Sequence, residues 1–175
     1  MNQLSQREVA LATFDECLKI LPSILQEAIY SPATDPRAIK KGDTDILSLR
    51  IFPKHKSPIR FWSSQWCFYE IGVGHYEAHT GEGLNLGGIS FVQFPFNERC
   101  GKGAYQSATL EILRRLQGEK PSEFSLTEAR HDKQATIFQR RYFITTHKTF
   151  PISVAANDLA WLIQKSLPQF QALGA

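Results

Sequence analysis

Apolar residues near the start of the chain recur at roughly helical spacing: Val9, Ala12, Phe14, Cys17, Leu18, Leu21, Leu25 and Ala28. That period predicts an amphipathic helix with one buried face. Ser5, with Glu8 three residues on, reads as a capping box and sets its start. Pro22 lacks a backbone donor and clashes with the preceding turn, so a kink or restart is expected near Leu21. Residues 31–43 hold two prolines and a glycine and read as a loop. The period then changes from 3.6 to 2. Leu47, Leu49 and Ile51 alternate across residues 45–52 and predict a strand. Residues 53–58 form a basic turn, and residues 66–80 read as one long strand or two joined ones. Gly72 and Gly74 inside that run point to a bulge or a close backbone approach. The glycine-rich residues 81–88 should turn a hairpin, with 89–94 returning until Pro95 ends it.

The helical period resumes over residues 104–117 at Tyr105, Ala108, Ile112 and Leu116, with Gly118 placed as a C-terminal stop. Residues 122–129 and 134–145 read as a second hairpin around 130–133. Ser153 is positioned to cap a last helix whose stripe is Val154, Leu159, Leu162, Ile163 and Leu167. The order is therefore α-β-β-β-α-β-β-α. Short connections pair consecutive strands antiparallel, and the helices would cover one face. The expectation is an α+β, two-layer domain: a mainly antiparallel sheet of about five strands with three helices. No linker-like tract divides the chain, so residues 1–175 form one domain. This order resembles the secretion-chaperone-like fold, whose members are small and often dimeric binding proteins. The resemblance is one of topology, carried by no residue motif, and what it implies is a binding role and a homodimer. Such chaperones tend to be acidic, and this chain departs from them in carrying a net charge of +3.

Composition narrows the class without naming a function. Hydrophobic residues make up 42% and charged residues 21% of the 175, as in ordinary globular domains. A surplus of three positive charges is too mild to mark a dedicated nucleic-acid coat. Three irregularly spaced cysteines, Cys17, Cys67 and Cys100, make no disulfide framework and suggest a reducing compartment. The N-terminal residues lack the apolar core of a secretory signal. No apolar run approaches the ~20 residues that span a bilayer. The expected location is cytoplasmic, away from the membrane.

Three clusters could carry chemistry. His75, Glu77 and His79 share one face if their segment is a regular strand. Two imidazoles and a carboxylate suit zinc or ferrous iron. Same-face neighbours on a strand stand about 6.5–7 Å apart, so three in a row converge only with distortion. The spacing also departs from the helical zinc-protease motif. Arg99-Cys100-Gly101-Lys102-Gly103 leads into a helix N-terminus, a favourable place for an anion. It lacks the Ser/Thr and the spacing of a Walker loop. Arg99 and Lys102 flank Cys100, which they would activate, but no base is evident. The third cluster is basic: Lys40-Lys41, Arg114-Arg115 and Arg140-Arg141, with Trp62 and Trp66 among nearby aromatics. Neighbouring residues on a helix point about 100° apart. On a strand they point to opposite faces, so either Arg140 or Arg141 must face the helices, or the strand lies at an edge.

No catalytic constellation is complete, and no cofactor is called for. The function expected is a non-catalytic protein-binding accessory or adaptor whose partner is another protein, or a second copy as a homodimer. Its candidate binding residues are Trp62, Trp66, Arg99, Lys102, Arg114, Arg140 and Arg141. The alternatives are a nucleic-acid-binding accessory using the basic pairs and aromatics, and a metal-dependent enzyme using His75, Glu77 and His79.

Overall fold

The computed structural model describes residues 6–20, 25–30, 47–53, 67–77, 84–94, 103–128, 135–143, 146–147 and 149–173. At 6–7, 20, 25–30, 47, 53, 75–77, 84–85 and 103–106 it describes the backbone alone. The described elements are α1 (Gln6–Ile20), β1 (Leu25–Tyr30), β2 (Leu47–Pro53), β3 (Cys67–Glu77), β4 (Leu84–Gln93), α2 (Gly103–Glu119), β5 (Ser125–Thr127), β6 (Thr136–Phe143) and α3 (Ile152–Ala172). The strands form one six-stranded antiparallel sheet in the order β1-β2-β3-β4-β6-β5. The fold is α+β in two layers, as expected, with one strand more than the hydrophobic pattern suggested.

The extra strand is β1. The helical period that ran through Leu25 and Ala28 does not hold, because α1 stops at Ile20 and Leu25–Tyr30 pairs with β2. Pro22 ends the helix rather than kinking it. Residues 25–30 include Ile29 and Tyr30, which suit a pleated strand better than a helix. β4 begins at Leu84, inside the residues expected to turn, and takes Gly87 and Gly88 into the sheet. The backbones there approach too closely for a side chain. A Cβ on Gly87, whose φ is +136°, would stand 2.2 Å from the Gly72 carbonyl oxygen. Gly74 lies in the register shift between Val73 and Tyr76, so both expected roles of the β3 glycines are realised.

Alternation along β2, β3 and β4 places Leu49, Ile51, Cys67, Tyr69, Ile71, Ile89 and Phe91 in one buried cluster with the helices. α3 lies across β3 and β4 and is flanked by α1 and α2. Its buried residues are Ala155, Ala156, Asp158, Leu159, Leu162, Ile163, Ser166, Leu167 and Phe170. Val154, expected in that stripe, is 42% exposed. Nor does Ser153 cap the helix: Pro151 is the N-cap, and its carbonyl accepts from the Ala155 N–H at 2.9 Å. α2 runs through Gly118 to Glu119, one residue beyond the expected stop. The Tyr69 hydroxyl stands 2.6 Å from Ser166 Oγ, which donates to the Leu162 carbonyl at 2.6 Å. This chain of bonds ties α3 to the centre of the sheet and satisfies both buried hydroxyls.

Candidate functional site

β6 contains the Arg140-Arg141 pair, and alternation separates the two side chains. Arg140 shares the core face with Phe138 and Tyr142 and lies in register with Ile89. An arginine there needs a carboxylate, because an unpaired buried charge is costly. Asp158 supplies one from the first turns of α3. Its carboxylate is only 8% exposed. Arg140 Nη1 stands 2.7 Å from Asp158 Oδ2, and the Tyr142 hydroxyl donates to the same oxygen at 2.7 Å. Lys120 Nζ approaches Asp158 Oδ1 at 3.8 Å. Arg140 also donates to Glu123, whose carboxylate lies 3.5 Å from Lys120 Nζ. The Lys120 ammonium sits 4.9 Å from the centre of the Trp161 ring. Tyr142 is buried and donates to a carboxylate. Both effects raise its hydroxyl well above the ordinary tyrosine value, burial most, so it stays protonated.

An open cleft of about 510 Å³ adjoins this network. Residues 121–125 form one wall, and residues 139–143 with Thr146 and His147 form the other. Five consecutive residues of a strand line a cleft only along the strand's edge, where both faces show at once. The cause is the shortness of β5. Its three residues pair with β6 only as far as Ser125↔Gln139. Before Ser125 the chain turns away, with Glu123 and Phe124 N–H both donating to the Lys120 carbonyl at 3.2 and 3.1 Å. Pro121, which has no N–H to give to a ladder, stands in that turn. Beyond Gln139, no described strand pairs with the outer edge of β6.

The backbone direction at this edge follows from its neighbours. The Gln139 carbonyl faces β5, 3.5 Å from Ser125 Oγ. The Arg140 carbonyl faces β4, where a Cβ on Gly88 would come within 2.5 Å of it. By alternation, the N–H and C=O of Arg141 face the cleft. The Phe143 carbonyl is taken by the N–H groups of Thr146 and His147 at 3.1 and 2.9 Å. His147 packs edge-on against Tyr142, ring centres 5.8 Å apart.

The other expected site residues divide in two. Trp62, Trp66, Arg99, Lys102 and His79, with Cys100, lie outside the described residues, as do the side chains of His75 and Glu77, whose backbone ends β3. The described arginines do not form a basic stripe. Arg114 is held by Glu128 at 2.8 and 2.9 Å, and Arg115 donates to Gln169 at 2.8 Å. Only Arg140 and Arg141 meet at the cleft. Sequence reading missed Asp158, Glu123, Lys120, Tyr142 and His147. One signal was present: Asp158 falls in the helical period of Ala155, Leu159 and Leu162, an acid inside an apolar stripe. The described thiols are inert. Burial, then the Glu16 carboxylate, pushes Cys17 up to about 12, and burial raises Cys67 well above its ordinary value.

No family model, curated protein or solved structure matches this chain.

Proposed function

We propose that this chain is a non-catalytic protein-binding module that takes an extended segment of its partner at the outer edge of β6. The single observation that carries the reading is the interrupted edge: a cleft along residues 139–143 where β5 stops and the Arg141 backbone turns outward. Strand addition at such an edge takes its affinity from main-chain hydrogen bonds and its specificity from flanking side chains. The neighbouring charges serve this role better than catalysis. The Asp158 carboxylate already accepts from Tyr142 and Arg140, so it holds the edge in place rather than offering a base. The cleft is walled by this chain on both sides, which suits a single inserted segment better than the broad sheet edge of a second copy. The buried free thiols Cys17 and Cys67 support a reducing, cytoplasmic setting.

The test is backbone NMR of the labelled protein titrated with an eight-residue capped peptide of alternating valine and threonine. Shifts centred on the Arg141 and Phe143 amides, abolished in a Ser122→Trp variant that fills the exposed wall, are expected. Shifts elsewhere, or none up to millimolar peptide, would overturn the reading. Concentration-dependent dimerisation that is lost in Ser122→Trp would show the occupant to be a second copy.

A further inference from the structure

We infer that the segment received at this edge is acidic, with a carboxylate side chain at the position that pairs with Arg141. The inference rests on the strand-addition reading and adds the chemistry of the guest. The charge balance of the cleft comes first. Lys120 and Arg140 are matched by Glu123 and Asp158, two cations against two carboxylates, all in mutual contact. Arg141 is left over. Its guanidinium is exposed and, among the described residues, bonds only to the neutral Gln139 amide oxygen, at 3.3 Å. Of the other described surface cations, Arg114, Lys165 and Lys19 have carboxylates in Glu128, Glu119 and Glu16, while Arg115 likewise donates to a neutral amide, that of Gln169, on the helical layer away from the cleft.

The register then says where a partner for Arg141 can come from. Directly opposite residues of an antiparallel pair share a face, with Cβ atoms about 4.5–5.5 Å apart. On the β4 side, Arg141 is opposite Gly88, which has no side chain. On the other side the ladder ends at Gln139. A guest strand that exchanges hydrogen bonds with the Arg141 backbone sets its own side chain beside the guanidinium, on the same face. An aspartate or glutamate there completes a cross-strand ion pair, and a lysine there places like charges in direct opposition.

The experiment measures fluorescence anisotropy with capped, labelled octapeptides of alternating valine and threonine. The central residue is glutamate, glutamine or lysine. The glutamate peptide is expected to bind about two- to fivefold more tightly than the glutamine one, the increment of an exposed cross-strand ion pair, and the lysine peptide more weakly still. Raising salt should narrow that gap. Arg141→Gln should equalise glutamate and glutamine, and Arg141→Glu should make lysine the preferred centre. Both variants alter an exposed side chain and leave the backbone edge intact. Equal binding of the glutamate and glutamine peptides by the unmodified protein, still lost in Ser122→Trp, overturns the acidic guest and leaves strand addition standing. No binding of any peptide, or binding indifferent to Ser122→Trp, overturns both.

Discussion

The two halves of β6 have the same alternation and different outcomes. Residues 137–139 are paired on both sides, with β4 and with β5. Their core position is Phe138, fully buried and stacked 4.9 Å from Phe124, which itself packs 5.1 Å from Trp161. Residues 140–143 are paired with β4 alone. Their core positions carry Arg140 and Tyr142, whose polar ends meet on Asp158. Where the sheet is closed on both sides, the core face is hydrocarbon. Where β5 stops, water reaches the edge, and the same face carries polar tips held by a buried carboxylate. The difference shows what the ion network is for: it lets a strand continue past its partner without a greasy edge, which would be an aggregation hazard.

Substitutions that attack the two halves separately should have different signatures. Phe138→Ala, in the closed half, should cost about 3–5 kcal/mol, the loss of a fully buried ring plus its cavity. Denaturant unfolding would show it as a fall in midpoint at constant slope. Asp158→Ala, in the open half, should cost about 3 kcal/mol, because it takes the acceptor from the Tyr142 hydroxyl and leaves Arg140 with Glu123 as its one remaining carboxylate among the described residues. The two differ in rescue. Arg140→Met should recover part of the loss in the Asp158→Ala background, since a half-buried guanidinium that has lost one of its two carboxylates is gone, and none of the loss in Phe138→Ala. Equal rescue in both backgrounds would mean that the halves are not distinct.

The closed half was legible in the sequence and the open half only partly. Alternation in residues 134–145 gave β6, and the pairing of Arg140 and Arg141 on one strand required that one face the helices or that the strand be an edge. Both hold locally, because β6 is interior up to Gln139 and an edge beyond it. What alternation could not give was the end of β5. That end is set by where the turn after α2 leaves the sheet, a matter of three-dimensional packing rather than period. The same limit hid β1. Leu25 and Ala28 fit a helical period by coincidence, and pairing with β2 overrode it. Asp158 was visible as an acid in an apolar stripe, but its meaning needed Arg140 across the core.

Tyr142→Phe is a finer test of the open half. It removes one donor from Asp158 and leaves Arg140 in place, so a loss of about 1.5–2 kcal/mol at neutral pH is expected. It should also change the alkaline limb. Folding raises the Tyr142 hydroxyl above its ordinary 10.0. Above about pH 10 the unfolded chain therefore releases this proton and the folded one keeps it. The unfolded state then binds fewer protons, and stability falls as pH rises. Cys17 acts in the same direction, from its ordinary 9.0 to about 12. Wild type should lose stability from about pH 9 upward. Tyr142→Phe should lose it less steeply above pH 10, and the Cys17 contribution between 9 and 12 should persist in both. A variant as steep as wild type would show that Tyr142 ionises freely in the fold.

The smallest effect on stability is the most informative about function. Arg141 differs from Arg140 by one position and by everything around it: an exposed guanidinium, a glycine neighbour on one side and the cleft on the other. Arg141→Ala should change unfolding free energy by no more than about 0.5 kcal/mol, as for a surface residue outside any network. Arg140→Ala should cost several times that, because Asp158 and Glu123 lose their bridging cation. If the cleft receives an acidic strand, the ranking inverts for binding, and the residue that contributes least to folding contributes most to recognition. An Arg141→Ala variant that unfolds as easily as Arg140→Ala would show that both arginines are structural. The edge would then be a closed feature of the fold rather than a place kept open for a partner.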